Sequence, residues 1–313
     1  MNYSEFMKEV QKQIKEFLPE KFADFKVDIR SVNKNNGVLM DGLVIHGENS
    51  IAPNIYLNDF FQQYEKGEAL ENIMREIAGS YLAHYEDTVS LGRSMFEYDK
   101  IKGDLTVCVC NAEMNAELLR TMPHEIQEDL ALVYRVKREK PDGDTESVLV
   151  TNSLLNHWGI GEQKLKEDAW NSMKTKSAPC FCSMEDILWG MLEEAPAEIT
   201  VSDSPIPQLY VLTNDRQMWG AAYMFDRETM SDIAEALDSS LIVFPSSIHE
   251  VLILQEQKDM DVEAMQEMVQ TVNATEVEAQ EVLSNHVYRY DREEQTLSIM
   301  SPPEQTQGMS MNL

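Results

Sequence analysis

The chain predicts an α+β fold built mainly from antiparallel hairpins, and three observations carry that prediction. Short apolar runs, alternating or continuous, recur between turn signals. Stretches of helical periodicity fall among them irregularly, without the strand-helix alternation that a doubly wound parallel sheet requires. The 313 residues suffice for one large domain or two ordinary ones.

The elements follow in chain order. Phe6, Val10, Ile14 and Phe17 share one helical face, and LPEKF closes this first helix. FKVDIRSV and GVLMDGLVI flank Asn35-Asn36-Gly37, the turn chemistry of a β-hairpin, and a third short strand is expected near Asn54 to Leu57. Leu70, Ile73, Met74, Ile77 and Tyr81 then mark a helix running to about Tyr85. A boundary near residue 100 divides the chain into a helix, small antiparallel sheet and helix module over 1–98 and a larger α+β module over 99–300.

In the larger module LTVCVC begins a strand at Leu105, and NAEMNAELLRTM reads as helix up to Pro123. LALVYRV and SVLVTN form a hairpin through KREKPDGDTE, whose Pro-Asp-Gly supplies the turn. A helix over Glu162 to Met173, a strand at Cys180 to Cys182, a helix over Met184 to Leu192 and a proline-rich surface loop, APAEITVSDSPIPQ, come next. LYVLTN and AAYMF read as a hairpin across Asp215 to Gly220. Asp226 caps a helix that turns Met230, Ile233, Ala234 and Leu237 inward. LIVFPSSIHEVLIL is read as two core strands joined at Pro245 to His249, with Glu250 starting the second. Val262, Met265, Met268, Val269 and Val272 stripe another helix, and HVYRYDREEQTLSIM closes with a hairpin. The tail, 301–313, has no periodicity and is expected to be disordered.

Charge bounds the function. Lys and Arg total 26 against 55 Asp and Glu, a net charge of -29. Such a field repels nucleic-acid phosphates and anionic lipid and favours a basic protein partner, so direct nucleic-acid binding is not expected. No apolar run is long enough to span a bilayer, and the amphipathic N-terminus carries acidic residues unlike a signal peptide. A cytoplasmic location with reduced thiols follows as the expectation.

Candidate chemistry is sparse. Cys108, Cys110, Cys180 and Cys182 could supply four sulfurs to zinc, but a single spacer residue is a poor metal knuckle, and strand alternation puts Cys108 and Cys110 on one face as small apolar residues. The histidines show no ligand spacing on a helix. His249 and Glu250 are adjacent, so on a strand they point to opposite faces and cannot chelate together. Ser247 lies on no nucleophile elbow, and no glycine-rich phosphate loop occurs, so no cofactor is expected. His249, Glu250 and Ser247 are still the catalytic candidates, should the PSSIHE loop line a pocket. RVKREK, at 135–140, is the one basic cluster and reads as a solvated hairpin arm. Trp158, Trp170, Trp189 and Trp219 are expected in the core, with Trp219 also placed to reach an interface.

DLALVYRV, VLVTNSLLNHWGIGEQKLKEDAWNSM, LYVLTN, WGAAYMF, LIVFPSSIHEVLIL and VYRYDREEQTLSI together resemble an uncharacterised domain-of-unknown-function family abundant in gut clostridia, especially Lachnospiraceae, and often found near mobile genetic elements. The resemblance covers most of the chain and is strongest between Asp129 and Ile299. More distantly the chain is similar to an uncharacterised Bacillus-type family, in which an Arg-Asp pair tends to stand where this chain has His249-Glu250. The resemblance implies a lineage and a fold, and no catalytic residue. The leading expectation is a non-enzymatic interaction protein with an acidic surface. The alternatives are a hydrolase using His249 with an acid or hydroxyl partner, and an acidic mimic of nucleic acid.

Overall fold

Thirteen described strands, all paired antiparallel, assemble into three sheets surrounded by helices, an α+β architecture. This computed structural model describes residues 1–47, 52–139, 145–188 and 208–301. The small sheet is β1 (Lys26–Asn33), β2 (Leu39–His46) and β3 (Asn54–Tyr56), in that order. The central sheet pairs β4 (Leu105–Asn111) with one edge of β6 (Leu130–Glu139), while β5 (His124–Gln127) and β7 (Thr145–Leu149) share the other edge. The large sheet contains β8 (Pro179–Ser183), β9 (Tyr210–Asn214), β10 (Leu241–Phe244), β11 (Val251–Gln255), β12 (Tyr288–Asp291) and β13 (Thr296–Ile299). Its spatial order is β13-β12-β10-β11-β9-β8.

Two large apolar cores and two smaller clusters form among the described residues. The first lies under the small sheet and is lined by Phe6, Val10 and Ile14 of the opening segment and by Leu43, Ile45 and Tyr81. Helix α1 (Tyr3–Gln13) starts in a capping box: the Asn2 side chain accepts from the Glu5 N–H, and the Glu5 carboxylate accepts from the Asn2 N–H. Helix α2 (Asn58–Glu65) packs beside α3 (Leu70–Ser94), which continues past the expected end at Tyr85. Its first half buries Ile73, Met74, Ile77 and Tyr81 in the first core, and its last turn delivers Leu91 to the second. The polar middle of the helix interrupts the apolar stripe, which is why periodicity alone stops short.

The second core lies between the central and large sheets. Period-2 alternation sends Leu105, Val107, Val109, Leu132, Tyr134 and Val136 into it from the central sheet. Helices α4 (Tyr98–Ile101), α6 (Asn152–Trp158), α7 (Glu162–Lys176) and α9 (Arg227–Ala236) close around it. Helix α10 (Val262–Thr275) covers the outer face of β10 through Val269.

Three local expectations are corrected. NAEMNAELLRTM forms only the short α5 (Ala116–Leu119), and His124–Gln127 becomes an edge strand whose polar alternation gives little signal. AAYMF is a 3-10 helix, Gly220–Phe225, not a strand, because β9 already has β8 and β11 on its two sides. The RVKREK cluster is no solvated arm: Arg135 is half-buried, Lys137 pairs with Glu139, and Arg138 pairs with Asp104. Helix α8 is described over Met184–Leu188. Trp189, the proline-rich loop up to residue 207, the Pro-Asp-Gly turn and the tail beyond Ser301 lie outside the described residues.

Candidate functional site

The PSSIHE turn joins β10 to β11 within one residue of the expected boundary, and it is tightly stitched. Ser247 Oγ donates to Glu250 Oε1 at 2.8 Å and accepts from the His249 N–H at 2.9 Å. The Ile248 N–H reaches the Glu281 carbonyl at 3.0 Å, and Thr213 Oγ1 donates to the His249 carbonyl at 2.8 Å. His249 and Glu250 do diverge: Glu250 turns back onto Ser247, whereas His249 leaves in another direction. Its Nδ1 accepts from the Trp219 N–H at 3.3 Å, and its Nε2 faces Glu281 Oε1 at 3.5 Å. An imidazole whose Nδ1 lone pair is held by a backbone amide carries its proton on Nε2. No hydrogen bond joins the Ser247 hydroxyl to this ring, so the turn has no serine-histidine dyad.

Trp219 arrives at this contact in an unusual way. Asn214, at the end of β9, accepts from the Arg216 and Met218 amides and donates to the Met218 carbonyl, which winds the chain into a tight turn. Trp219 then adopts the left-handed backbone region at φ 59°. That conformation is costly for a bulky residue and is retained where the surroundings over-determine it. Only glycine fits next: a Cβ on Gly220 would stand 2.6 Å from the Asn214 backbone nitrogen. The result is that the Trp219 ring lies against Arg135, with the guanidinium carbon 5.0 Å from the ring centroid. The two sequence blocks containing WG and PSSIHE therefore meet at one point.

Behind that point is a cavity of about 570 Å³, lined among others by Lys34, Tyr56, Cys108, Arg135, Trp219 and His249. It separates the central sheet from the β1–β2 turn. The turn is fixed there by Asn35 Nδ2 donating to the Gln280 carbonyl at 2.7 Å and by reciprocal 2.9 Å hydrogen bonds between Asn36 and Asn115. Arg135 Nε and Nη2 both donate to Ser147 Oγ, at 3.2 and 2.9 Å, and no described carboxylate pairs with the guanidinium. Burial pushes its pKa below the usual arginine value. Lys34 Nζ lies 3.9 Å from the Tyr56 ring centroid, likewise with no ion pair among the described residues.

Cys108 and Cys110 of β4 share the cavity-side face of the central sheet with Ala131 and Val133 of β6, and the Trp219 ring packs against them. Burial pushes each thiol up to about 12, in Cys108 against the nearby charges of Arg135 and Lys137. Cys180 and Cys182 belong to β8 in the large sheet, where a hydrogen bond to Cys182, followed by burial, raises the Cys180 thiol. The two cysteine pairs thus occupy different sheets. Among the described residues no group of three or more His, Cys, Asp and Glu is placed to hold a metal ion.

A second cluster escaped sequence reasoning. Asp129, Ser284, His286 and Tyr288 converge: Ser284 Oγ donates to Asp129 Oδ2 at 2.6 Å, His286 Nδ1 lies 3.1 Å from the same oxygen, and the Tyr288 hydroxyl donates to Asp129 Oδ1. A catalytic triad needs the imidazole between acid and hydroxyl, using its two different nitrogens. Here the serine donates directly to the acid, and Ser284 is buried at 1% exposure, so the cluster ties the β5–β6 turn to the start of β12. The residues are 155 apart in sequence, and nothing in either segment announces the other.

On the opposite side of the PSSIHE turn an open cleft of about 490 Å³ is lined by Glu250, Glu276, Glu278 and Glu281, with Gln217 and His249. No lysine or arginine stands among its described lining residues. Among all the described residues, no helix is long and apolar enough to cross a membrane.

Neither the curated proteins nor the solved structures contain a match to the chain. A family model does match, spanning residues 3–292, and so takes in the small sheet, the cavity and the PSSIHE turn together. The chain belongs to the family described as Family of unknown function (DUF5688).

Proposed function

We propose that the chain is a cytoplasmic, non-enzymatic interaction protein, organised as modules over 1–98 and 99–300, whose carboxylate-rich surface receives a basic segment of a protein partner. The observation that carries this reading is the cleft of four glutamates with no lysine or arginine among its described lining residues. Glu250 and Glu281 already have Ser247 and His249 as partners, and Glu278 accepts from Gln280 through one oxygen only, so Glu276 and the second oxygen of Glu278 are best placed to accept an incoming cation. Like charges held together in one cleft focus the field of a chain at -29 and steer a cationic partner toward it. The hydrolase reading draws on the same turn, but there the hydroxyl and the imidazole are each engaged elsewhere.

The test is a pull-down from the native host at low and high salt, beside calorimetric titration with a short lysine- and arginine-rich peptide. Wild type is expected to bind both at low salt and to weaken as salt screens the charges. Glu276→Lys with Glu278→Lys is expected to abolish both. Binding unchanged by that reversal contradicts the reading, and a partner recovered as cleavage products would return the chain to the hydrolases.

A further inference from the structure

We propose that the cavity between the central sheet and the β1–β2 turn binds a small organic anion, its carboxylate or phosphoryl oxygens taken by the open edge of the Arg135 guanidinium with Lys34 as a second positive charge. The site goes beyond the basic-partner reading and uses the other side of the PSSIHE turn.

Charge supplies the first argument. In a chain with 55 acidic and 26 basic residues, a half-buried cation has carboxylates in abundance to choose from. Arg135 has none within ion-pair reach among the described residues. The ionisable groups that act on it are the Cys108 thiol and the Tyr56 phenol, neither of them a carboxylate. A half-buried guanidinium without a counter-charge bears part of the cost of leaving water, and an anionic ligand would offset it.

Donor geometry supplies the second. Ser147 Oγ occupies Nε and one position of Nη2, while Nη1 donates to no described residue. The Nη1–Nη2 edge is therefore left open, and two parallel N–H groups on that edge match the two oxygens of a carboxylate or phosphoryl group. Trp219 holds the guanidinium plane from one side. The Asn214 turn and the Trp219 N–H bond to His249 hold the left-handed backbone that places the ring there.

The cavity itself supplies the third. Its volume of about 570 Å³ lies within the range of small-molecule pockets, about 300 to 1,000 Å³. Val133, Leu149, Trp219 and Ile248 give the walls apolar surface for the body of a ligand, and Glu281 is the one carboxylate among the described lining residues. Glu281 is turned to His249, so it does not neutralise Arg135. An inorganic anion would use the cationic end and leave the apolar walls empty, which favours an anion with an apolar or aromatic body.

Titration calorimetry of the full chain with phenyl phosphate, phenylacetate, inorganic phosphate and the neutral 2-phenylethanol tests this, with location reported by a tryptophan fluorescence change that Trp219→Phe removes. At least one of the two aromatic anions is expected to bind saturably, more tightly than inorganic phosphate, with 2-phenylethanol silent. Arg135→Lys keeps the charge but loses the fork and is expected to weaken binding by about tenfold or more. Lys34→Gln, on the turn outside the sheet, tests the same site should Arg135→Lys fail to fold, and is expected to weaken binding by about threefold. The proposal is overturned if neither aromatic anion binds, if 2-phenylethanol or inorganic phosphate binds as well as they do, or if the folded variants bind like wild type.

Discussion

The two faces of the central sheet come from the same strands and differ sharply. Toward the second core β4 and β6 present Leu105, Val107, Val109, Leu132, Tyr134 and Val136, all buried. Toward the β1–β2 turn the alternate positions are Thr106, Cys108, Cys110, Ala131, Val133 and Arg135, smaller residues that end in a charge. Large branched and aromatic side chains fill the first space to crystal-like density. Small ones leave the second partly empty. The difference teaches that burial on both sides of a sheet does not mean packing on both sides: residue size decides where a fold leaves room for a ligand.

The comparison is most easily broken on the packed face. Leu132→Ala removes a side chain that is 2% exposed and is expected to cost about 2 to 5 kcal/mol in urea unfolding. A loss below about 1 kcal/mol would mean that this face is looser than described.

On the cavity face the thiols give a pH signature. Cys108 and Cys110 are held at about 12 in the folded chain, whereas an unfolded thiol titrates near about 8.5. Below the unfolded value both states keep the proton and the stability is fully present. As pH rises above it the unfolded chain loses protons first, so that stability is lost until the folded value is reached, at about 1.4 kcal/mol per thiol per pH unit. Urea midpoints between pH 8 and pH 10 should fall for wild type and fall less steeply in Cys108→Ala with Cys110→Ala, where the raised Cys180 thiol still contributes, provided the double variant folds.

Overpacking sharpens the contrast. Val107→Phe, on the filled face, is expected to cost about 1 to 3 kcal/mol, while Val133→Phe, with the cavity beside it, should cost less than about 1 kcal/mol and block ligand entry. Equal costs would remove the distinction between the faces.

Much of this arrangement is legible in the sequence, and the remainder fails for identifiable reasons. The hairpin at Asn35-Asn36-Gly37, the Asp226 cap and the β10–β11 turn each follow from local chemistry, and each is found within a residue or two. AAYMF reads as a strand locally, and only the crowding of β9 between β8 and β11 shows that no edge is free. The candidate site divides in the same way. Separate partners for His249 and Glu250 match the expected divergence, but both residues lie in the turn before β11, so strand alternation is not its cause, and the His249–Glu281 and Trp219–His249 contacts join segments that no local rule connects. Arg135 was hidden by its neighbours, since a basic run reads as solvent-facing. The available signal was register: Ala131, Val133 and Arg135 fall on one side of an unbroken strand.

The measurement that tests the difference between the faces most directly is made on Arg135→Met, with phenyl phosphate binding by calorimetry and urea stability read from the same preparation. A half-buried guanidinium without a described carboxylate partner, replaced by a flexible apolar side chain, is expected to leave stability within about 1 kcal/mol of wild type or to raise it, while binding is lost. A variant that is destabilised by about 3 kcal/mol or more and yet binds phenyl phosphate like wild type would show that Arg135 holds the fold together and that the cavity is not its purpose.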